Sequence, residues 1–427
     1  MTERFLHYLW KMKLLNNNHL TTTEGSTVRI ISSGEHNSDS GPDFHQARIK
    51  IDETTWVGNV EIHLRSSDWL SHHHHEDKAY DNVILHVVYV DDDPVLRQDG
   101  SKIPCLEIRD RYDAAIYENY QSLMQSPLWI PCEHQIKKVN EITIHQWLNR
   151  LTAERLEAKI QPILHTLKEN ENNWEQTFYE FVAMSYGSKV NAEPFRLLAR
   201  ALSVKVLARH KNNLFQLEAL LFGTAGFLNE QYSDSYPEEL RKEWGFLQMK
   251  YGVTPLKKHL WKFLRLRPAN FPTVRIAQMA QLIFKSAHLF SRILETTESK
   301  TIASFFKAEA SEYWSSHYLF DKLSDDKNKS FGKSSAELIL INTVAPFIFV
   351  YGKLRDEQEY CDRAIKILEH ISAERNNIIE NWKRMGISPA NAFDSQALLQ
   401  LRNCYCKNFR CLDCAIGHKI LLTGKVP

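Results

Sequence analysis

The sequence predicts an α+β protein in which an N-terminal α/β sandwich is followed by a large all-α region. Strand-like segments, where apolar side chains alternate or run continuously, are concentrated in the first quarter of the 427 residues. Beyond Tyr112 the apolar residues recur at helical spacing, and strand signals nearly vanish. We therefore predict an α/β domain over residues 1–111 and a helical domain, of one or two subdomains, over residues 112–427.

The α/β domain is predicted to open with a short amphipathic helix over residues 3–14, because its apolar side chains share one stripe. Three strands follow, over residues 28–31, 47–51 and 56–64. The polar turn at residues 52–55 predicts a hairpin between the last two. Residues 68–82 are polar and compatible with a helix. Residues 83–90, VILHVVYV, form a continuous β-branched run, typical of a strand covered on both faces.

Composition excludes several classes of protein. The chain is 43% hydrophobic and 25% charged without a low-complexity tract, which argues against a disordered chain. Apolar runs such as Leu338–Val350 are too short or too interrupted to span a bilayer, and the N-terminus lacks the apolar core of a secretory signal. Seven cysteines, four of them near the C-terminus, fit a reducing compartment with a metal site. We therefore predict a cytoplasmic protein with no membrane partner.

The net charge of +1 hides an asymmetry along the chain. Residues 1–110 contain 11 Lys and Arg against 18 Asp and Glu, and the remaining residues contain 42 against 34. An acidic module can hold a metal ion and a basic one can hold phosphate, as a cation-dependent phosphodiesterase requires. Two solvated surfaces of different charge would give the same pattern.

Two carboxylates in the α/β domain are spaced to meet at one site. Gly41-Pro42-Asp43 is separated by 17 residues from Glu61-Ile62-His63. Asp43 lies just before one strand of the hairpin, and Glu61 and His63 point to the same face of the other. Carboxylates that converge from adjacent strands form a hard oxygen site suited to Mg²⁺ or Mn²⁺. A surface turn and an ion pair are the alternative interpretation.

This arrangement resembles the PD-(D/E)XK nuclease core of restriction enzymes and repair nucleases, over roughly residues 1–110. The resemblance implies that Asp43 and Glu61 ligate the metal, helped by the main-chain carbonyl of Ile62, and that His63 occupies the catalytic position usually held by lysine. A neutral imidazole can serve as a base or ligand, but it lacks the permanent charge of lysine. The strings GPDF, GNVEIH, SSDW, YDNVILHVV and RPANFPTVRIAQ also resemble an uncharacterised bacterial family, common in the Bacteroidetes and known only as a domain of unknown function.

The run His72-His73-His74-His75 is unusual and internal. On a helix, His72 and Glu76 would share one face, and a transition metal could use such residues together with His63 or His86. Four consecutive histidines cannot all face one ion, so at least two are expected in solvent. For His86, within the apolar strand, a satisfied core histidine is the favoured interpretation.

Four cysteines near the C-terminus are spaced as metal ligands. Cys406, Cys411 and Cys414 form the best trio, because a C-x2-C pair clasps one ion and a nearby thiolate completes the site. The fourth ligand is either Cys404 or the distant Cys132. The second arrangement resembles nucleases of the same core fold that hold an iron–sulfur cluster with one upstream and three C-terminal cysteines. We predict zinc or an iron–sulfur cluster, and the alternative is a set of reduced thiols.

The leading functional hypothesis is a divalent-metal-dependent phosphodiesterase, nuclease-like, acting on DNA or RNA through Asp43, Glu61 and His63. Basic residues around Trp261 and Phe263 could follow a phosphate backbone, although solvated helix faces look the same in sequence. The second hypothesis is a catalytically inactive nuclease-like scaffold that binds nucleic acid or protein. A third is a metal hydrolase acting on another substrate through the histidine run.

Overall fold

The computed structural model describes residues 1–16, 20–286 and 288–423. Contacts between Cα atoms divide the chain into two units. The first unit combines Met1–Trp147 with Leu401–Pro427, and the second is Leu148–Gln400. The first unit is therefore built from both ends of the sequence. The predicted boundary between residues 111 and 112 stays a prediction.

The first unit is organised around a mixed β-sheet. Its strands are β1 (Val28–Ser32), β2 (Glu35–His36), β3 (Phe44–Ile51), β4 (Thr54–Arg65), β5 (Val83–Val90) and β6 (Cys105–Glu107). The order is β1-β3-β4-β5-β6, and β2 pairs with β3. The β1–β3 and β3–β4 pairs are antiparallel, whereas β4–β5 and β5–β6 are parallel. The predicted hairpin and the buried strand at 83–90 are confirmed, and the sequence analysis missed β2 and β6.

Helices of the first unit are α1 (Glu3–Lys11), α2 (Asp68–Ser71), α3 (Ala114–Met124), the beginning of α4 (Glu141–Glu157) and α18 (Ala415–Leu422). The predicted N-terminal helix is confirmed. Thr2 caps it, and its apolar stripe, including Phe5, Leu9 and Trp10, is buried. The helix prediction for residues 68–82 is wrong beyond Ser71, because His73 adopts a left-handed conformation with φ 60° that stops α2. Two 3₁₀ turns follow, His74–Glu76 and Lys78–Tyr80.

The second unit is helical, as predicted. Its elements are the end of α4, then α5 (Ile160–Glu169), α6 (Trp174–Ala201), α7 (Val204–Arg209), α8 (Leu214–Thr224), α9 (Ser235–Tyr251), α10 (Pro272–Lys285), α11 (Leu289–Glu295), α12 (Ser299–Phe305), the short hairpin β7 (His317–Leu319) and β8 (Lys322–Leu323), α13 (Lys333–Ile339), α14 (Ala345–Arg355), α15 (Gln358–His370), α16 (Asn377–Arg384) and α17 (Ala392–Gln400). One large apolar cluster joins most of them, and α8 is buried from Leu217 to Thr224. Helix α6 is kinked at Ser188, where φ is 52° and ψ is −157°.

One helical segment of the second unit, Lys333–Arg355, is long and apolar enough to cross a membrane by length and composition. It consists of α13, a π-helical turn at Leu340–Val344, and α14. Within its most apolar window, 72% is buried inside the packed core, as in a core helix of a soluble protein. The chain therefore looks like a soluble protein, and the cytoplasmic location stays a prediction.

A buried carboxyl group lies inside the second unit. Glu218 on α8 is 2% exposed and accepts hydrogen bonds from the Tyr236 hydroxyl at 2.6 Å and the Ser311 hydroxyl at 2.7 Å. Burial raises the pKa of Glu218 from 4.5 to about 7, although both hydroxyl bonds act to lower it. Desolvation therefore outweighs hydrogen bonding at this position.

This pKa predicts how stability depends on pH. Between pH 4.5 and 7 the folded chain holds a proton on Glu218 that the unfolded chain has released. The free energy of unfolding should therefore fall by about 3 kcal/mol as the pH rises through this window. Glu218→Gln is expected to flatten that slope and to stabilise the protein at pH 8. Urea unfolding at pH 5 and pH 8 measures both, with the exposed Glu157→Gln as control. Equal pH slopes in wild type and Glu218→Gln would contradict the prediction.

Candidate functional site

The site begins where the β3–β4 ladder ends. Phe44, the first residue of β3, pairs with Val60 on β4. Beyond Val60, β4 continues past the end of β3, so the next β4 amide on that side, that of Ile62, lacks a strand partner. The Asp43 carboxylate fills this position, because its Oδ2 accepts a hydrogen bond from Ile62 N at 3.0 Å. In return, Glu61 Oε2 accepts a hydrogen bond from Asp43 N at 3.0 Å. The fold therefore brings the two predicted carboxylates side by side.

Two histidines extend the site onto the parallel part of the sheet. His63 on β4 is 2% exposed, and His86 on β5 is fully buried. Their rings meet edge to face, with His63 Nδ1 2.9 Å from His86 Nε2. The other ring nitrogen of His63, Nε2, lies 3.4 Å from Glu61 Oε1. His86 is thus a core histidine that is only half satisfied, because its Nε2 pairs with His63 while its buried Nδ1 has no hydrogen-bond partner. The Nε2 contact fixes the ring plane of His63.

The histidine run supplies two further imidazoles, and they are not the pair that a helix would present. The left-handed His73 reverses the chain after α2, so that His72 and His74 both face β4. His72 Nδ1 lies 3.2 Å from His63 Nε2, and His74 Nε2 lies 3.3 Å from Glu61 Oε1. His63, His72 and His74 can each offer one ring nitrogen to a metal ion, and these three nitrogens lie within 4.8 Å of one another.

Helix α1 completes the cluster on its other side. His7 Nε2 lies 3.2 Å from Asp43 Oδ2, and its ring packs against Phe44. Burial acts to lower the pKa of His7, but Asp43, together with the charges of Glu3 and Glu61, more than compensates, and the net shift is upward. Asp43 thus has an imidazole neighbour as well as a backbone donor.

Burial dominates the electrostatics of the cluster. It raises the pKa of Glu61, and the nearby Asp43 charge adds to the increase. It lowers the pKa of His63 to about 2 and that of His86 to about 3, so both imidazoles are neutral at physiological pH. A neutral imidazole with a free lone pair is the form that binds a metal ion or accepts a proton.

The cluster contains both predicted and unpredicted residues. Asp43, Glu61 and His63 lie together as the spacing indicated. The contributions of His72, His74 and His7 were not predicted in this form. The histidine run was the available signal for the first two, but a helical register assigns them to different faces. His73 and His75 are the residues of the run that leave the site, with side chains 74% and 34% exposed.

The C-terminal cysteines lie in the first unit, together with Cys132. The thiols of Cys132, Cys406, Cys411 and Cys414 are buried, whereas Cys404 is half-buried. Burial is the main cause that raises the pKa of Cys406, and the charges of Cys132, Cys414 and Cys411 raise it further. The four thiols are therefore neighbours in this unit, and Cys132 is the one from the distant part of the sequence. Among the described residues, the group with ligand atoms within 4.8 Å of one another is His63, His72 and His74, not the cysteines.

Cys414 precedes α18, and the helix terminus contributes to its environment. The backbone N–H groups of Ile416 and Gly417 hydrogen-bond to its sulfur and act to lower its pKa, against the larger effect of burial. Gly417 is required at its position, because a Cβ there would lie 2.1 Å from Cys411 O. The loop from Cys411 to Cys414 is thus pressed against the start of α18.

The aromatic residues of the basic stretch are not exposed platforms. Trp261 is 5% exposed and donates a hydrogen bond from Nε1 to Ala225 O at 2.8 Å. Phe263 packs edge-on against Phe227 and Phe271. The Trp261 ring is therefore committed to the apolar core, and Phe263 is half-buried against other aromatic rings. Contact of the surrounding basic side chains with a phosphate backbone stays a prediction.

Comparison with known proteins gives one match. A family model described as "Protein of unknown function (DUF2851)" matches residues 3–377. The chain belongs to the DUF2851 family. No curated protein and no solved structure matches this DUF2851 chain. The matched residues include Asp43, Glu61, the histidines of the site and Cys132, whereas the C-terminal cysteines follow the matched range.

Proposed function

We propose that this DUF2851 protein is a divalent-metal-dependent phosphodiesterase, nuclease-like, that acts on DNA or RNA. The observation that carries the proposal is the convergence of Asp43 and Glu61 at the end of the β3–β4 ladder, beside three imidazoles. Two acidic groups and three imidazoles, with Glu61 and His63 buried, offer the oxygen and nitrogen donors that a divalent metal ion binds. A pair of charged side chains that only stabilised the fold would not require three histidines around it.

The resemblance to PD-(D/E)XK nucleases supports the same reaction class. A helix, an antiparallel hairpin and a crossover to a parallel strand, with Asp43 and Glu61 on the hairpin, follow the order that the resemblance implies. His63 occupies the position where these nucleases usually have lysine, and this difference affects the chemistry. Since His63 is neutral, positive charge at the reaction centre must come from the metal ion and from the substrate-binding surface.

The residues of the site fit a divalent transition metal. His74 Nε2 is buried and has no hydrogen-bond partner, although it faces Glu61 Oε1, and an ion between such groups would satisfy both. Asp43 and Glu61 provide the oxygen donors that suit Mg²⁺ or Mn²⁺, and His63, His72 and His74 add nitrogen donors. Mn²⁺ accepts both donor types, so it fits the whole set better than Mg²⁺ does.

Each residue has a defined part in hydrolysis. Asp43 and Glu61 would hold the ion, which polarises a phosphoryl oxygen and acidifies a bound water. His63 would orient the attacking water or take its proton through Nε2. For that role its Nδ1 must carry the hydrogen and donate to His86 Nε2, the tautomer that leaves the Nε2 lone pair facing the site. Separately, we propose that the exposed lysine and arginine side chains of the basic stretch, in the second unit, bind nucleic-acid phosphates.

The first test is cleavage of labelled single- and double-stranded DNA and RNA by the full-length protein with Mn²⁺ or Mg²⁺. Asp43→Asn and Glu61→Gln each remove a negative charge but keep an oxygen that can accept the backbone hydrogen bond, so the fold should persist. We expect kcat/KM to fall by roughly a hundred-fold or more in each variant. Glu53→Gln, on the exposed hairpin turn, is the matched control and should cleave normally.

The same assay separates the proposal from its alternative, a catalytically inactive scaffold. Nucleic acid that binds equally in chelator, with no turnover under any divalent metal, would favour the scaffold. Equal turnover in wild type and Asp43→Asn would rule out the proposed site. Circular dichroism of each variant establishes that the fold is retained.

The metal site itself has a separate test in binding. The double variant His72→Ala/His74→Ala removes two proposed ligands. The control His73→Asn/His75→Ala removes two neighbours of the same type that leave the site, with asparagine chosen because it tolerates the left-handed backbone at position 73. Calorimetric titration with Mn²⁺ and Zn²⁺ should show an affinity at least roughly ten-fold weaker in the first variant only. Equal losses in both variants would mean that the run binds metal nonspecifically. One tightly bound zinc ion would favour the third hypothesis, a metal hydrolase with another substrate.

We further propose that Cys132, Cys406, Cys411 and Cys414 bind a structural zinc ion or an iron–sulfur cluster, with Cys132 rather than Cys404 as the fourth ligand. Support comes from the burial of these thiols and from their mutual effect on pKa values. A bound cation would convert these thiols to thiolates, whereas reduced thiols packed as small hydrophobic groups are the alternative. The amides at the start of α18 are positioned to stabilise the Cys414 thiolate.

Metal analysis of protein purified without air distinguishes the two cofactors. An iron–sulfur cluster gives a brown protein with visible absorption, and zinc gives a colourless one. Cys132→Ser should lose the metal and lower the melting temperature, whereas Cys404→Ser should keep both. Metal retained in Cys132→Ser but lost in Cys404→Ser would reverse the assignment. A metal-free wild type, even after anaerobic reconstitution, would remove it.

A further inference from the structure

A cavity of about 510 Å³ lies within the second unit, away from the residues discussed above. It opens between the kink of α6, the end of α4, and the segment from α13 to α14. Its lining is mainly apolar and includes Ile163, Phe181, Met184, Phe331 and Leu338. A volume of this size with mostly apolar walls is typical of a small-molecule site.

The charged residues that line the cavity are all basic: Lys159, Lys189 and Arg275. Lys189 is exposed at the α6 kink, and Lys159 donates to the neutral Asn342 Oδ1 at 3.3 Å. None of the lining residues is acidic. The walls therefore combine an apolar surface with positive charge and carry no counter-charge of their own.

Arg275 is the most unusual of these residues, because it is 8% exposed and lacks an ion-pair partner among the residues that the structure describes. Its guanidinium donates to Gln278 Oε1 at 3.0 Å and to Asn270 Oδ1 at 2.5 Å, both neutral amides. Its Nε is buried without a hydrogen-bond partner. A buried cation without an anion costs several kcal/mol, which an incoming negative group would offset.

The neighbours of Arg275 hold it in place rather than neutralise it. Gln278 donates from Nε2 to Lys329 O at 2.9 Å, which turns its Oε1 toward the guanidinium. The guanidinium carbon lies 4.8 Å from the centre of the Phe331 ring, which also lines the cavity. The Tyr186 ring stacks on Phe331, and its buried hydroxyl is a second polar group without a partner. The guanidinium is thus pre-organised beside an apolar chamber.

We propose that this cavity binds a small amphipathic anion, whose carboxylate or phosphate group pairs with Arg275 and whose apolar body lies against Phe181, Phe331 and Leu338. Arginine suits either head group, since its planar fork donates two parallel hydrogen bonds to both. Lys189 would add positive charge near the entrance. Burial, with the nearby Arg155 charge, lowers the pKa of Lys159 to about 7, and a bound anion would favour its protonated form. This site is independent of the proposed hydrolytic centre, which lies in the first unit.

The test is calorimetric titration of the full-length protein with octanoate, octyl phosphate, octanol and inorganic phosphate. We expect one octanoate or octyl phosphate per chain, and the stronger of the two identifies the preferred head group. Octanol and inorganic phosphate should each bind at least ten-fold more weakly, because one lacks the charge and the other lacks the apolar body. Arg275→Met, which keeps an apolar stem over Phe331, should weaken the anionic amphiphile at least ten-fold.

Two further variants keep the outcome unambiguous. Arg292→Met is the matched control, because that guanidinium also lies over a ring, Phe305, but outside the cavity lining, and it should bind normally. Leu338→Trp, at the 46% exposed rim, should narrow the cavity and weaken binding of the anionic amphiphile with Arg275 intact. Each of four results would overturn the proposal. Neither amphiphile binds, octanol binds as tightly as octanoate, inorganic phosphate binds as tightly as octyl phosphate, or Arg275→Met keeps the affinity of the wild type.

Discussion

The proposed site depends on a reciprocal pair of hydrogen bonds between two short stretches of backbone. The Asp43 carboxylate accepts a hydrogen bond from the amide of Ile62, the residue next to Glu61. The Glu61 carboxylate accepts one from the amide of Asp43 itself, so the two carboxylates hold each other in place. Bonds from amides to carboxylates contribute about 1.5–3 kcal/mol each, enough to hold two like charges side by side. Glu61 uses Oε2 for this purpose, which leaves Oε1 facing His63 and His74. The remaining imidazoles are held one step away, since His72 and His86 contact His63 and His7 contacts Asp43.

The sequence predicts this part of the molecule well because strand geometry is nearly obligatory. Once a hairpin is placed at residues 52–55, alternation on β4 sets Glu61 and His63 on one face, and the return of the chain brings Asp43 beside them. The β-branched run at 83–90 identifies β5 for a similar reason. Both predictions rest on a period of two residues over short distances, where small errors do not accumulate.

The histidine run shows where such reasoning fails. A single left-handed residue, His73, replaces the helical period by a turn, and a periodicity argument cannot see it. Arg275 and Trp261 show a different failure. Their sequence neighbours suggest a basic, aromatic surface, but both side chains are buried, because the packing of α10 and the loop before it draws in residues that look solvated. Whether a charged side chain is buried depends on contacts with residues far away in the sequence. A local sequence pattern does not contain that information.

The first unit is divided in the sequence, and this affects how the protein must be made. The first unit consists of residues 1–147 and 401–427. More than 250 residues are therefore synthesised between its N-terminal and its C-terminal segment. On the ribosome the sheet can form early, but α18 and the C-terminal thiols reach their places only after the entire second unit has emerged. Until then Cys132 and the surface that α3 offers to α18 stay uncovered. A ribosome that stalls late in translation would therefore release a chain with a folded interior segment and an incomplete first unit, a natural target for chaperones and proteases.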